Sequence, residues 1–206
     1  MVKNMSKVEL AHSIIIRNDG VAKTSDFLNA GLNKFDIFDI AKKGAIERIT
    51  NGFYKLPDGE LLDDGQILNS FLPEGIFFLE TALYYHFYSD YTPRTLSIAV
   101  PRSISRSRLS KIPLFAKYYF VNDNIYELGK TKIEVHGRGL PIYDKERTIC
   151  DCFKFRNKID GETFIKAIKA YANDNDKDVY NLLVYSEKMG IHKQVVGTMR
   201  ILLNDW

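Results

Sequence analysis

Apolar residues recur at helical spacing over residues 6–18, where Val8, Leu10, Ala11, Ile14 and Ile15 lie among polar positions, and Asp19-Gly20 ends the run. A second, short helix is predicted over 26–29, with Thr24 or Ser25 as its cap and Gly31 supplying the turn that follows. A third spans 34–43, capped by Asn33 and closed by Gly44. Its Ile37, Ile40 and Ala41 are core positions, while Phe35 and Phe38 form a second stripe assigned to packing on the first helix. Two β-rich runs then follow, 46–49 and 53–56, on either side of Thr50-Asn51-Gly52. An Asn-Gly pair between such runs is a strong hairpin signal. Pro57, Asp58 and Gly59 break the chain.

Beyond this break the pattern is mixed. Residues 61–73 and 80–89 read as helices, the second dense in aromatic residues, and 95–100 as a strand that Pro101 closes. Strands are predicted over 117–121, 125–128 and 132–136, joined by Asn, Asp and Gly turns, with Gly137-Arg138-Gly139 as one such turn. From Lys145 the period becomes helical to the end of the chain, interrupted at Asp160-Gly161 and Gly190. The predicted fold is α+β: an N-terminal winged helix-turn-helix over 1–58, then a mixed α+β domain over 59–206 with a helical C-terminus. The four-residue turn at 30–33 between two short helices is what sharpens the first assignment.

Composition changes little of this picture. The chain has 206 residues, 45% hydrophobic and 27% charged, the balance of an ordinary soluble protein. Its longest stretches without Asp, Glu, Lys or Arg are nine residues, 65–73 and 81–89, whereas a membrane-spanning helix needs about 20 apolar residues. The opening MVKNMSKVEL lacks the apolar core of a secretion signal, so a cytoplasmic location is expected. Cys150 and Cys152 are too few for a disulfide framework or a structural zinc site, and they are expected to be reduced and structural.

Charge is more informative in its distribution than in its sum. The net charge is 29 − 26 = +3, but residues 59–90 carry six acids and no base, and residues 91–122 carry six bases and no acid. The two blocks either neutralise each other or leave a positive surface able to meet phosphate. Residues 1–58 hold nine bases and seven acids.

In a helix-turn-helix the second helix enters the major groove with its first turn near base edges. Here that turn begins with Asn33 and Lys34: Asn pairs with adenine through two hydrogen bonds, and Lys donates to guanine or phosphate. Lys42 and Lys43 are candidates for phosphate, as are Thr24 and Ser25 at the start of the preceding helix. In the wing, Arg48, Asn51 and Lys55 flank the hairpin turn. Arg102, Arg106 and Arg108 lie in an Arg/Ser-rich segment after a strand, read as a flexible positive loop. Each of these has a structural alternative: Asn33 as a cap, Lys42 and Lys43 as complements to the helix dipole, the arginines as partners of the 59–90 acids.

Catalytic spacing is absent from the sequence. His12, His86, His136 and His192 are scattered without a metal-binding pair, and there is no phosphate-binding glycine motif. Asp144, Glu146 and Asp151 cluster, but acids at that point suit the start of a helix. No enzyme, no cofactor and no metal are expected.

The segments GVAKTSDFLNAGL (20–32), IAKKGAIERI (40–49) and NGFYKL (51–56) resemble the N-terminal winged helix of the AbiEi family of antitoxins. TLSIAVPR (95–102), the strands to Val135, and YDKERTICDCF (143–153) are similar to that family's second domain. The resemblance implies a bacterial toxin–antitoxin system, often tied to phage defence. The winged helix would repress the system's own promoter at inverted repeats in double-stranded DNA. The second domain would counteract a nucleotidyltransferase toxin, typically without a stable protein complex. By position, the recognition helix is 33–43 and the wing 48–55. Asp36 and Asp39 on the reading helix depart from the positive charge such a role favours. The alternative reading is a winged-helix module that docks a protein without sequence-specific DNA binding.

Overall fold

The computed structural model describes residues 5–57 and 62–203. Ser6 starts the first helix, α1 (Lys7–Arg17), through a reciprocal box: its hydroxyl accepts from the Glu9 N–H, and the Glu9 carboxylate accepts from the Ser6 N–H at 2.8 Å. A two-residue strand β1 (Ala22–Lys23) leads into α2 (Thr24–Asn29), and α3 (Lys34–Lys42) follows. Strands β2 (Glu47–Thr50) and β3 (Phe53–Lys55) form the expected hairpin, with a register shift between Arg48 and Thr50. β1 adds to the other edge of β3, giving an antiparallel sheet ordered β1-β3-β2. Three helices and this small sheet make a winged-helix-like unit around Ala11, Ile14, Ile15, Phe27, Ile37, Ile40 and Ile46.

The chain divides into two compact units, Met1–Leu72 and Pro73–Trp206. The boundary expected at 58 lies outside the described residues, as do Asp58, Gly59 and the start of the helix expected from 61. The helix found there is α4 (Asp64–Phe71), capped by Asp63, whose carboxylate accepts from the Gln66 N–H at 2.8 Å. It belongs to the first unit, where the Phe71 ring stacks on Phe53 of the wing with centroids 3.9 Å apart.

In the second unit, β4 (Ile76–Phe77), α5 (Leu79–Tyr85), β5 (Leu96–Pro101), α6 (Arg106–Leu109), β6 (Ala116–Val121) and α7 (Asp123–Tyr126) precede a hairpin of β7 (Lys130–Val135) and β8 (Arg138–Tyr143). The sheet is mixed and ordered β6-β5-β4-β8-β7, with β5/β6 and β4/β8 parallel and the other neighbours antiparallel. Then come α8 (Lys145–Lys154), a 3₁₀ turn at Arg156–Lys158, α9 (Gly161–Ala172), α10 (Val179–Lys188) and α11 (His192–Leu202). Side chains such as Ile76, Phe78, Ile149, Tyr171, Leu182 and Val195 fill the core. Among the described residues no helix is long and apolar enough to cross a membrane.

Three expected elements are corrected. Residues 125–128 are not a strand: Ile125 and Tyr126 sit in the helical turn α7, with both side chains buried. The expected turn at Gly137-Arg138-Gly139 is one residue later than the real one. His136 (φ 49) and Gly137 (φ 74) make the two-residue loop between the paired Val135 and Arg138, and β8 begins at once. The loop expected over 102–111 contains a helical turn, α6, which Ser105 caps by accepting from the Arg108 N–H.

One side chain explains why α7 is not extended. Arg147, on α8, has no exposure to water. Its Nη1 donates to the carbonyl oxygens of Ile125 (2.5 Å) and Leu128 (2.8 Å), its Nε donates to Asp151 (3.0 Å), and its guanidinium lies 4.2 Å from the Tyr143 ring centroid. A strand would direct those carbonyls to a neighbouring strand; the turn directs them at the cation. Gly129 makes room for this, at φ 71 and with the place its Cβ would occupy only 2.6 Å from the Arg147 Cβ. Burial pushes the Asp151 carboxyl up to about 7, against the opposing pull of Arg147.

Replacing one partner strands the other charge in the interior. Arg147→Met is expected to lower the stability of the protein by about 3–5 kcal/mol in urea unfolding, and the double variant Arg147→Met/Asp151→Leu to recover a large part of that loss. A double variant as unstable as the single one would contradict this account of the pair.

Candidate nucleic-acid interface

The helix that a winged-helix fold offers to a ligand is α3, and its start is heavily determined. The Asn33 side chain accepts from the Asp36 N–H at 2.9 Å, and the Asp36 carboxylate accepts from the Asn33 N–H at 3.1 Å. Asp36 also takes a 2.6 Å ion pair from Lys7 of α1. The Lys7 ammonium and the Asn33 N–H together hold its carboxyl below the usual range. One of the two acids that weigh against DNA on this helix is therefore neutralised inside the unit. The other, Asp39, is exposed.

Ile37 and Ile40 bury the inner face of α3, and Gly44 (φ 74) ends it. The outer ridge carries Lys34, Phe35, Phe38 and Lys42, all exposed, with the exposed Lys43 at the C-cap. No hydrogen bond or ion pair holds the side chain of Lys34, Lys42 or Lys43 among the described residues. Phe35 and Phe38 do not pack on α1 as expected. They are 83% and 63% exposed, because the faces of α3 that meet α1 and α2 are taken by Asp36, Ile37 and Ile40.

The remaining predicted residues are placed more tightly than their sequence suggests. Asn33 serves as the cap, so its carbonyl oxygen would have to be shared for two-point pairing with adenine. Thr24 and Ser25 do not cap α2. The cap is Lys23, and the Thr24 N–H donates to the Gly52 carbonyl at 2.9 Å, tying α2 to the wing turn. The Ser25 hydroxyl is 3.4 Å from Asp26. In the wing, Arg48 donates to Asn51 (2.6 Å) and to the Thr50 carbonyl (3.2 Å), so the two residues brace the turn between them. Lys55 pairs with Glu47 across the hairpin at 3.2 Å.

The 102–111 segment lies in the other unit. Arg102 is exposed, Arg106 stands over the Phe120 ring at 5.5 Å, and Arg108 is bound by Glu74 through both carboxylate oxygens. At this point the acidic block does pair with the basic one. Two of the clustered acids around α8 also make internal hydrogen bonds. Asp144 caps α8 and accepts from the Tyr185 hydroxyl at 3.0 Å. Glu146 accepts from the Tyr171 hydroxyl and the Asp178 N–H. Cys150 and Cys152 are free thiols in the core, and burial pushes both up.

These features define a winged-helix-like unit joined in sequence to a mixed α+β unit. No known family profile matches the chain, and no curated protein is similar to it in sequence. Among solved structures it is similar to the RV2827C protein from Mycobacterium tuberculosis. The identity is 13% and the TM-score 0.68, over 98% of this chain and 78% of that one. At that identity the likeness establishes a shared fold.

The cap of α3 gives a direct test. Asn33→Ala is expected to cost about 1 kcal/mol in urea unfolding. Asp36 has a depressed folded-state pKa, so its contribution is present above the ordinary carboxylate value of about 3.9 and is lost as pH falls through the folded value. The gap in melting temperature between wild type and Asp36→Asn should therefore narrow as the buffer is taken from about pH 6 toward pH 3. A gap that widens on acidification would rule out this role.

Proposed function

We propose that the chain is a DNA-binding transcriptional autorepressor and antitoxin of a bacterial toxin–antitoxin system, acting in phage defence against a nucleotidyltransferase toxin. The observation that carries the DNA-binding half is the sorting of charge on α3 and the wing. The side chains of Lys34, Lys42 and Lys43 project from α3 without partners among the described residues, against one exposed acid there, Asp39, while Asp36 is held by Lys7, Glu47 by Lys55, and Asp26 by the Lys23 N–H. A unit of small formal charge thus offers phosphate a face richer in cations than its composition suggests.

The antitoxin half rests on the resemblance of residues 20–56, 95–102 and 143–153 to the AbiEi family. In this reading the second unit is not an enzyme and takes no cofactor. Its clustered acids already serve as helix caps and hydrogen-bond acceptors, which supports that assignment. The target is double-stranded DNA at inverted repeats of the system's own promoter, and the toxin is countered without a stable complex.

The upstream DNA of the coding gene should be retarded by the protein, with affinity falling steeply as salt rises, because each phosphate contact releases counterions. Replacing Lys34, Lys42 and Lys43 by Ala should weaken binding and flatten the log–log salt slope by up to about three, roughly one for each phosphate no longer neutralised. An unchanged slope in the triple variant would remove α3 from the interface. Co-expression with the product of a neighbouring nucleotidyltransferase gene should restore growth, and no relief of toxicity would refute the antitoxin half.

A further inference from the structure

We infer that Phe35 and Phe38 read thymine through its C5-methyl group and so set sequence preference. This rests on the DNA-binding reading above and names the base that the reader favours.

The two rings stand one helical turn apart on α3, on the ridge opposite Ile37 and Ile40. Their exposure is far beyond that of a packed aromatic side chain. A single apolar side chain in water is ordinary on a protein surface, but a pair on one ridge is a feature of contact sites. Lys42 continues the ridge, four residues after Phe38 and seven after Phe35, and Lys34 precedes the first ring. The rings are bracketed by these cations with Asp39 as the exposed acid among them, a ridge of net positive charge that suits a polyanion carrying an apolar spot between its phosphates.

In the major groove that spot is specific. Guanine, adenine and cytosine offer only hydrogen-bonding edges, whereas thymine adds a methyl group. A phenyl side chain has no donor or acceptor, so the methyl is what it can distinguish. The polar reader that would otherwise dominate the first turn, Asn33, is held as the cap of α3 at 2.9 Å from the Asp36 nitrogen. Discrimination by α3 then passes to the rings beside it.

The test uses four duplexes of about 30 base pairs at one fixed salt concentration: alternating dA·dT, the same with deoxyuridine for thymidine, alternating dG·dC, and the same with 5-methyldeoxycytidine. The last places a methyl at the equivalent position of the groove. Binding is read by fluorescence anisotropy. Wild type should lose about fourfold for each methyl it reads on going from thymidine to deoxyuridine, about fifteenfold for two, and should gain on 5-methylation of cytidine. Phe35→Ala/Phe38→Ala, whose changes lie in solvent, should melt with the wild type and bind thymidine and deoxyuridine duplexes equally, with the salt slope unchanged. Equal wild-type affinity for the thymidine and deoxyuridine duplexes overturns the inference while leaving DNA binding intact. Binding to none of the four duplexes and no retardation of the upstream DNA overturns the DNA-binding reading itself. Loss of a stoichiometric protein partner in the double variant, with DNA affinities unaltered, assigns the rings to protein docking and overturns the inference as well.

Discussion

A guanidinium sealed from water organises the second unit. Arg147 has to be matched within the fold, and the matching reaches three elements at once: the carbonyls around α7, the Asp151 carboxylate one turn along α8, and the Tyr143 ring at the end of β8. Desolvating a cation costs several kcal/mol unless such partners stand in place. The position of α7, the glycine at 129 and the first turn of α8 are therefore one solution rather than three. Asp144 joins it from the other side, capping the helix by accepting the Arg147 backbone N–H at 2.8 Å. Three charged residues of α8, Glu146, Arg147 and Asp151, lie on its buried side.

The first unit solves the opposite problem. Asp26, Asp36 and Glu47 are drawn into caps and short ion pairs, while Lys34, Lys42 and Lys43 are left outside with one exposed acid, Asp39. Asp36 shows how local and tertiary demands agree: the carboxylate that closes the box at the start of α3 is also the one that Lys7 of α1 reaches. The start of α3 and the cancellation of its unwelcome charge thus share one carboxylate, while Ile37 and Ile40 seat the helix in the core. Its outer ridge is left with two rings and its lysines, a surface set by what the inner contacts did not use.

Most of the first unit was legible from short-range chemistry. Ser6 with Glu9, Asn33 with Asp36, and Asn51-Gly52 are signals whose partners lie within a few residues, so the chain announces them locally. The fate of Phe35 and Phe38 was not legible, since an apolar stripe at helical spacing predicts burial and only the neighbouring helices decide which stripe is covered. In the second unit, Ile125 and Tyr126 prefer strands, and a partner 22 residues away in sequence, Arg147, overrides that preference. Strand β8 was hidden by Gly139 and Pro141 within it, and β4 by its brevity. Of the candidate site, Lys34, Lys42 and Lys43 are exposed, whereas Arg48 and Lys55 have internal partners that no spacing rule reveals, and Arg108 meets an acid of the 59–90 block, Glu74.

That brevity has a mechanical meaning. β4 lies at the middle of the five-stranded sheet, yet it offers two residues to β5 and one, Phe77, to β8. The sheet is in effect two longer ribbons, β5 with β6 and β7 with β8, stitched along a seam of a few backbone bonds. Cohesion across that seam comes from side chains beneath it, Ile76, Phe78 and the buried face of α8, more than from the ladder.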